Sequence, residues 1–574
     1  MSPSGWWSSS SSSPWPPFSS NPPKERPLIR HIRWSALIAV AGTLLVGALL
    51  IYLAYTTTTV VVPTEGGTYV EGVAGSPTHL NPLLSGYNQV DADLVSLIFS
   101  GLTDINERGE VVPDLARKWD ISEDGLTYTF YLRPDVRWQD GEPFTADDMV
   151  FTIEALQDPD FQGPPELATL WQAVTAEKRS DHIVSFTLGE PFAPFLAYTT
   201  LGILPKHILE GVPATELPLH PFSAHPVGTG PFRLLELTAE RALLEANPYY
   251  YGQKPYLDKV EFRFYRDYGE IFAAYQRGEV EGISRVLPPD LDRVRQVEGL
   301  NLYSTWLPRY TLIFLNLEAP VFQEKEVRQA LLWAIDRQRI IDQILDGQGR
   351  VVDSPILPNS WAYDEDIPRY EYNPQRAKAL LEEAGWVDTN NDGVREKEGV
   401  LLEFPLLTND DPLRVRIIEE IARELAEVGV RVRTQTLGHG VSELLQSRHF
   451  TAVLYGWGDL PPDPDLYEMW HSTQATDEGQ NYGGFANRDV DELLEQARLI
   501  SDPAQRAELY RRFQEIFAQE VPALLLYYPI YNYAVSERVK GVQLGPLSTP
   551  SDRFRTIADW YVNTKRVMVS ETLQ

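Results

Sequence analysis

Residues 122–156 read SEDGLTYTFYLRPDVRWQDGEPFTADDMVFTIEAL, and they constrain the fold more than any other stretch of the chain. Thr127, Thr129 and Tyr131 alternate with Tyr128, Phe130 and Leu132, the period-2 pattern of a strand rich in β-formers. Asp140-Gly141 marks a turn, and Thr145 with Asp148 three residues later has the spacing of a capping box at a helix start. Val150, Ile153 and Leu156 continue that helix with an apolar side. Strand, turn and helix in this order require an α/β or α+β fold.

The rest of the chain extends the mixture. Strand signals dominate 67–188, whereas from Glu324 onward amphipathic helices alternate with short strands. Val327, Leu331, Ala334, Ile335 and Ile341 mark the buried side of one helix over 326–341. Asn373 reads as an N-cap with Pro374 at the first helical position, and Gly385 stands where a C-cap wants a left-handed residue. Leu493, Leu494 and Ala497, then Leu509, Phe513 and Ile516, give two further helices separated by Ser501-Asp502-Pro503. At 574 residues the chain exceeds what one hydrophobic core serves, so two or three domains are expected.

Charge and cysteine usage exclude several classes. With 81 acidic against 50 basic residues the net charge is -31, which excludes nucleic acid as a partner because phosphate binding needs clustered Lys and Arg. There is no Cys, hence no disulfide, no thiolate metal site and no acylated cysteine as a membrane tether. HExxH, GxSxG and P-loop patterns are missing, and the closest His pair, His220 and His225, sits five apart in a Pro-rich loop that suits no standard metal motif. No enzyme activity and no cofactor are expected.

Residues 35–55, SALIAVAGTLLVGALLIYLAY, are mostly apolar and uncharged, long enough to cross a hydrocarbon core as a helix. Lys24, Arg26, Arg30 and Arg33 precede them, and no Lys or Arg follows until Arg108, so the N-terminus is expected in the cytoplasm and all that follows outside. The alternative is a cleaved signal peptide, but IYLAYTTTT lacks an A-x-A site. The favoured reading is a single-pass anchor at the cell membrane with an extracytoplasmic domain. Residues 1–34 form a cytoplasmic tail, of which 1–23 is a disordered Ser, Pro and Trp tract, and 56–65 read as a spacer.

Several segments, in order over 66–532, resemble the family 5 solute-binding proteins of ABC transporters. They are SPTHLNPLLSG at 76–86, LIFSGLTDINERGEVVPDLARKWDIS at 97–122, and DGLTYTFYLRPDVRWQDGEPFTADDMVFT at 124–152. VGTGPFRL at 227–234, EVRQALLWAIDRQRII at 326–341, YNPQRAKALLEEAGW at 372–386, GWGDLPPDPDLYEMWHS at 456–472 and GFANRDVDELLEQA at 484–497 follow. The resemblance implies a type II periplasmic-binding-protein-like fold with two lobes and an inserted domain. Lobe one would start at 66–111 and continue over 225–316, the insert would occupy 112–224, and lobe two 317–529, with 530–574 returning to lobe one. Strand crossings are expected at 314–316 and 526–528. A peptide-like solute enclosed between the lobes, a monomeric receptor and an ABC permease partner are implied with them. An oligosaccharide or other non-peptide solute, or a sensor or adaptor that imports nothing, are the alternatives.

Sequence-tolerant peptide binding needs exposed strand edges, aromatic walls and a carboxylate for the terminal ammonium. In GWGDLPPDPD the resemblance assigns Trp457 to the pocket wall, with core packing as the alternative, and places Tyr455 and Gly458 beside it. The family's ammonium-binding Asp falls on Leu460, and Asp459 lies one residue early, as an ammonium partner or a turn residue. Tyr87 and Asn88 match the opposite pocket edge loosely. Asp388, Asn390 and Asp392 with Gly393 match part of a calcium loop, but Gly399 stands where the bidentate Glu belongs, so a turn without metal and a weak calcium site are both open.

Overall fold

The computed structural model describes residues 28–568 apart from 107, 108, 459, 461, 462 and 478. The tract at 1–23 and Asp459 lie outside them. Two compact units are present, one with the described residues up to Val62 and from Thr564, the other Pro63–Asn563. In the first, helix Leu28–Thr58 carries a 20-residue apolar span, Trp34–Leu53, with a mean hydropathy of 2.5. A two-stranded ribbon pairs Thr59–Thr64 with Asn563–Met568.

The second unit is a mixed α/β body around a twelve-stranded sheet. At one end Thr68–Ala74 lies between Lys259–Tyr265 and Gly282–Ile283, parallel to both. At the other Glu403–Asn409 lies parallel to Arg431–Leu437 and Ala452–Trp457. Strand Ala523–Ser536 joins the two sections. Its first half pairs antiparallel with Tyr310–Leu315, Phe314 opposite Ala523, and its second half with Leu300–Trp306, Trp306 opposite Ile530. The chain therefore passes between sections at 307–309 and 529–530, where the Leu307 N–H donates to the Pro529 carbonyl at 3.1 Å. Those positions lie seven and about three residues from the crossings expected at 314–316 and 526–528. Phe314 and Leu526 sit inside continuous strands, which an apolar pattern alone could not separate from their ends.

A four-stranded antiparallel sheet, Ala116–Ile121, Thr127–Leu132, Ile183–Leu188 and Val174–Ser180, packs with helix Ala146–Gln157. Thr145 and Asp148 form the expected capping box. One apolar cluster runs without a break from Tyr69 through Phe130 and Phe186 to Trp560. Asn373 caps Pro374–Glu383, Gly385 is left-handed with φ +85°, and Asp502 caps Pro503–Glu520. The single helix expected over 326–341 is two, Lys325–Ala334 and Arg337–Gln343. Ile335 is extended and the Asp336 side chain accepts from the Arg339 N–H, capping the second. The break lets buried Arg337 donate to the Tyr370 carbonyl at 2.6 Å and to Asp353 at 3.0 Å.

The C-terminal segment is fastened to the sheet by buried charge. Arg553, 1% exposed, donates to Glu71 at 3.1 Å and to both oxygens of Asp93 at 2.8 and 2.5 Å. Tyr69 and Tyr533 also donate to Glu71, whose carboxyl is raised above its ordinary range by burial against the opposing pull of Arg553. Removing the cation would leave two carboxylates buried and unpaired. We expect Arg553→Met to lower the unfolding free energy by about 3–5 kcal/mol, measured by urea unfolding at pH 7.

Candidate functional site

In open sheets with parallel strands, the crevice that accepts ligands lies outside the strands' carboxyl ends. Here two sets of such ends exist, at Ala74, Tyr265 and Ile283 in one section and at Asn409 and Trp457 in the other. Helices Tyr268–Gln276 and Pro412–Glu427 begin just past those ends, capped by Asp267 and Asp411.

Trp457 ends its strand opposite Tyr310, with Tyr455 two residues earlier on the same face. Its half-buried ring meets Phe314 at 5.4 Å, Tyr482 at 5.3 Å and Trp470 at 6.4 Å. Both readings of Trp457 thus have a physical basis, because one part of the ring packs and another is accessible. The guanidinium of Arg414 lies 4.4 Å from the centre of the Tyr455 ring, a cation over an aromatic wall.

Past Trp457, Gly458 is exposed, and an added Cβ there would come within 3.9 Å of the Arg309 guanidinium. The Leu460 N–H then donates to the Pro308 carbonyl at 2.9 Å, and the Leu460 side chain is buried. The position that resembles the family's ammonium-binding Asp is therefore apolar and turned inward. Downstream, Asp463 accepts from Arg506 at 2.9 and 2.7 Å, and Asp465 from Arg498 at 2.9, 3.2 and 2.7 Å. Bidentate pairs of this kind fix geometry as well as charge. They tie Asp463 and Asp465 to helices Pro503–Glu520 and Arg488–Leu499.

Tyr87 is 68% exposed at the end of a short 3-10 turn. Asn88 caps helix Gln89–Ile98, accepting from the Val90 N–H at 2.9 Å and donating to the Ser76 carbonyl at 2.9 Å. The adjacent Gln89 lines a cavity. In the acidic loop, Asp388 accepts from the N–H groups of Asp392 and Gly393 at 3.2 and 3.0 Å, and Asn390 from that of Asp392 at 2.8 Å. Those acceptors serve the turn's own backbone.

Two cavities flank the strand crossing. One of about 120 Å³ opens at the carboxyl ends of the first section, between Ala74, Gln89, Tyr268, Arg285 and Arg309. The other, about 210 Å³, lies beside Glu110, Pro308, Trp361 and Leu460. Arg285, Arg309 and Glu110 were not legible as site residues. Only the pairing of distant strands brings them to the crevice, and no local spacing signals that.

If Trp457 serves packing as well as the wall, truncation must cost stability even without ligand. Trp457→Ala is expected to lower the unfolding free energy by about 2–4 kcal/mol, and Trp457→Phe by less than half as much, in urea unfolding of the unliganded protein.

Comparison with known proteins agrees with this geometry. Residues 110–477 match the family described as "Bacterial extracellular solute-binding proteins, family 5 Middle". The oligopeptide-binding protein AppA of Bacillus subtilis is 34% identical over 497 residues, 84% of this chain and 90% of that protein. Its structure with a nonapeptide superposes with a TM-score of 0.69 at 33% identity, covering 88% of this chain and all (100%) of that one. The dipeptide-binding protein of Escherichia coli is 30% identical over 536 residues, 87% of this chain and 96% of that protein. NikZ of Campylobacter jejuni, solved with Ni(L-His), gives a TM-score of 0.70 at 29% identity over 86% of this chain and 99% of that one. The chain belongs to the bacterial extracellular solute-binding proteins of family 5.

Proposed function

We propose that this protein is an extracytoplasmic receptor of an ABC importer that binds peptides in the crevice between its two sheet sections and delivers them to a membrane permease. The observation that carries the reading is the crevice itself. Parallel-strand ends, an aromatic wall at Tyr455 and Trp457, and open cavities meet at one strand crossing. Its relatives AppA and the Escherichia coli protein are named for oligopeptides and dipeptides, and members of this family are binding proteins, not enzymes. Lobe one would comprise 66–111 and 225–316, an inserted domain 112–224 and lobe two 317–529, with 530–574 returning to lobe one. The crossing at 529–530 accords with the end of lobe two, whereas strand Tyr310–Leu315 pairs with Ala452–Trp457 and so belongs with lobe two. The receptor would act as a monomer.

Asp459 is the carboxylate nearest in sequence to the wall residue Trp457 and would meet the peptide's ammonium. Titration calorimetry with free and N-acetylated alanine peptides tests this. Acetylation should weaken binding to the unaltered protein by about 2–5 kcal/mol and affect Asp459→Ala far less, since both changes remove one interaction. If acetylation costs nothing, a non-peptide solute takes the lead. That second reading is favoured by buried Leu460 at the family's Asp position and by NikZ, whose ligand is Ni(L-His).

The helix Leu28–Thr58 would remain as a single-pass anchor, because its apolar span ends without a small-residue cleavage site. N-terminal sequencing of the membrane-bound protein should start at Met1 or Ser2. A start near Tyr55 would identify the segment as a removed signal.

A further inference from the structure

We propose that Arg566, where strand Asn563–Met568 meets the end of the apolar helix, binds the phosphate of an anionic phospholipid in the outer leaflet of the membrane. The inference rests on the anchor reading above and names a lipid contact that reading leaves open.

Depth in the membrane carries the first step. The apolar span Trp34–Leu53 has 20 residues, which as a helix cover about 30 Å, the thickness of a hydrocarbon core. Trp34 and Tyr52 then fall at its two boundaries, where aromatic rings with a polar tip settle, and both are exposed. Tyr55 lies about 3 Å farther out along the helix than Leu53, in the headgroup layer. The Arg566 guanidinium is 5.2 Å from the centre of the Tyr55 ring and donates to the Thr59 hydroxyl at 3.2 Å. That hydroxyl in turn donates to the Tyr55 carbonyl at 2.6 Å. A cation from a strand 507 positions later than Thr59 is thus held at headgroup depth, beside the carbonyl end of the helix, whose dipole favours positive charge.

Charge around it has one sign. Among the residues of this unit whose side chains are described, Lys565 and Arg566 are the charged ones, in a chain of net charge -31. Both are exposed, and among the described residues neither lies within ion-pair distance of a carboxylate. The bond to Thr59 occupies one nitrogen of Arg566, and the planar fork that remains matches two oxygens of a phosphate. Anionic lipid is favoured over zwitterionic lipid because the zwitterionic headgroup carries its own cation beside the phosphate, in competition with the guanidinium. Successive side chains of a strand point to opposite faces, so Lys565 faces away from Arg566 and serves as a control for charge alone. Attachment to the membrane then has two points, the helix and the strand paired next to it.

The test uses the full-length chain, isotopically labelled at the arginine Cζ atoms and reconstituted in vesicles of equal parts phosphatidylglycerol and phosphatidylcholine, whose phosphorus resonances are separate. Magic-angle-spinning NMR correlates Cζ with phosphorus only at close range, and a guanidinium bound to phosphate oxygens places the two nuclei about 4 Å apart. A correlation should be present in the unaltered chain, absent from Arg566→Gln and kept by Lys565→Gln, and it should favour phosphatidylglycerol at least threefold. Spectra that Arg566→Gln leaves unchanged overturn the inference, as does equal correlation with both lipids. Should Arg566→Gln fail to fold, Arg566→Lys, which keeps the charge but has no guanidinium carbon, assigns the signal in its place, and a spectrum it leaves unchanged overturns the inference equally. Flotation of the vesicles after a carbonate wash separates this inference from the anchor reading. A chain that floats with the lipid but lacks the Arg566 correlation overturns the lipid site alone, whereas a chain washed off the vesicles overturns the anchor and the lipid site with it.

Discussion

The 14 residues of strand Ala523–Ser536 are the constraint on which the main unit depends. A strand's backbone groups must be paired wherever it is buried, and most of this strand is. It meets that demand by serving both sheet sections in turn, with Tyr310–Leu315 and Gly349–Val351 on its first half and Leu300–Trp306 and Gly282–Ile283 on its second. The two sets of parallel-strand ends are thereby brought to one crossing. A register shift between Thr311 and Leu312 falls close to that crossing, where a bulge changes local twist. Pro529 sits at the changeover opposite Gly349, next to the pair in which the Ile530 N–H donates to the Gln348 carbonyl at 3.3 Å, so it needs no ladder N–H of its own, and its carbonyl accepts from Leu307 at 3.1 Å.

Charge plays two separate roles. Deep in the structure it is paired and closed, as in Arg553 with Glu71 and Asp93, and Arg337 with Asp353 and neighbouring carbonyls. Such pairs add little net stability over apolar packing, but they specify one arrangement, because each misplacement leaves a charge without a partner. At the crevice the arginines lie over or beside open space. Arg414 covers Tyr455, Arg350 covers Trp306 at 4.9 Å, and Arg285 and Arg309 line a cavity. The surplus of acidic residues elsewhere makes this local reversal of sign a property of the crevice.

Local signals in the sequence were legible wherever the interaction that makes them is local. Thr145 and Asp148, Asn373 and Pro374, and Asp502 each act within four residues of themselves, and each is a cap in the structure. Gly385 is left-handed for the same reason. The misread helix at 326–341 shows the limit. Its apolar spacing is continuous, but Arg337 has partners as far away as Tyr370 and Leu525, and satisfying them requires a break at Ile335. The crossing points, expected from the resemblance, are displaced because a likeness of sequence does not report which strand each residue pairs with. Trp457 and Tyr455 were legible through resemblance and do share one face, whereas Arg285, more than 170 positions earlier, has no local mark of its place.

The offset at Leu460 gives the crevice its own character. In GWGDLPPDPD the backbone N–H of Leu460 is bound to Pro308, and the same short segment 307–309 carries the chain between sheet sections and places Arg309 against both Gly458 and the cavity. Leu460 is thus coupled to the crossing through its hydrogen bond to Pro308. Pro308 and Leu460 line one cavity and Leu307 and Arg309 the other, so the cavity walls and the crossing geometry are properties of the same few residues.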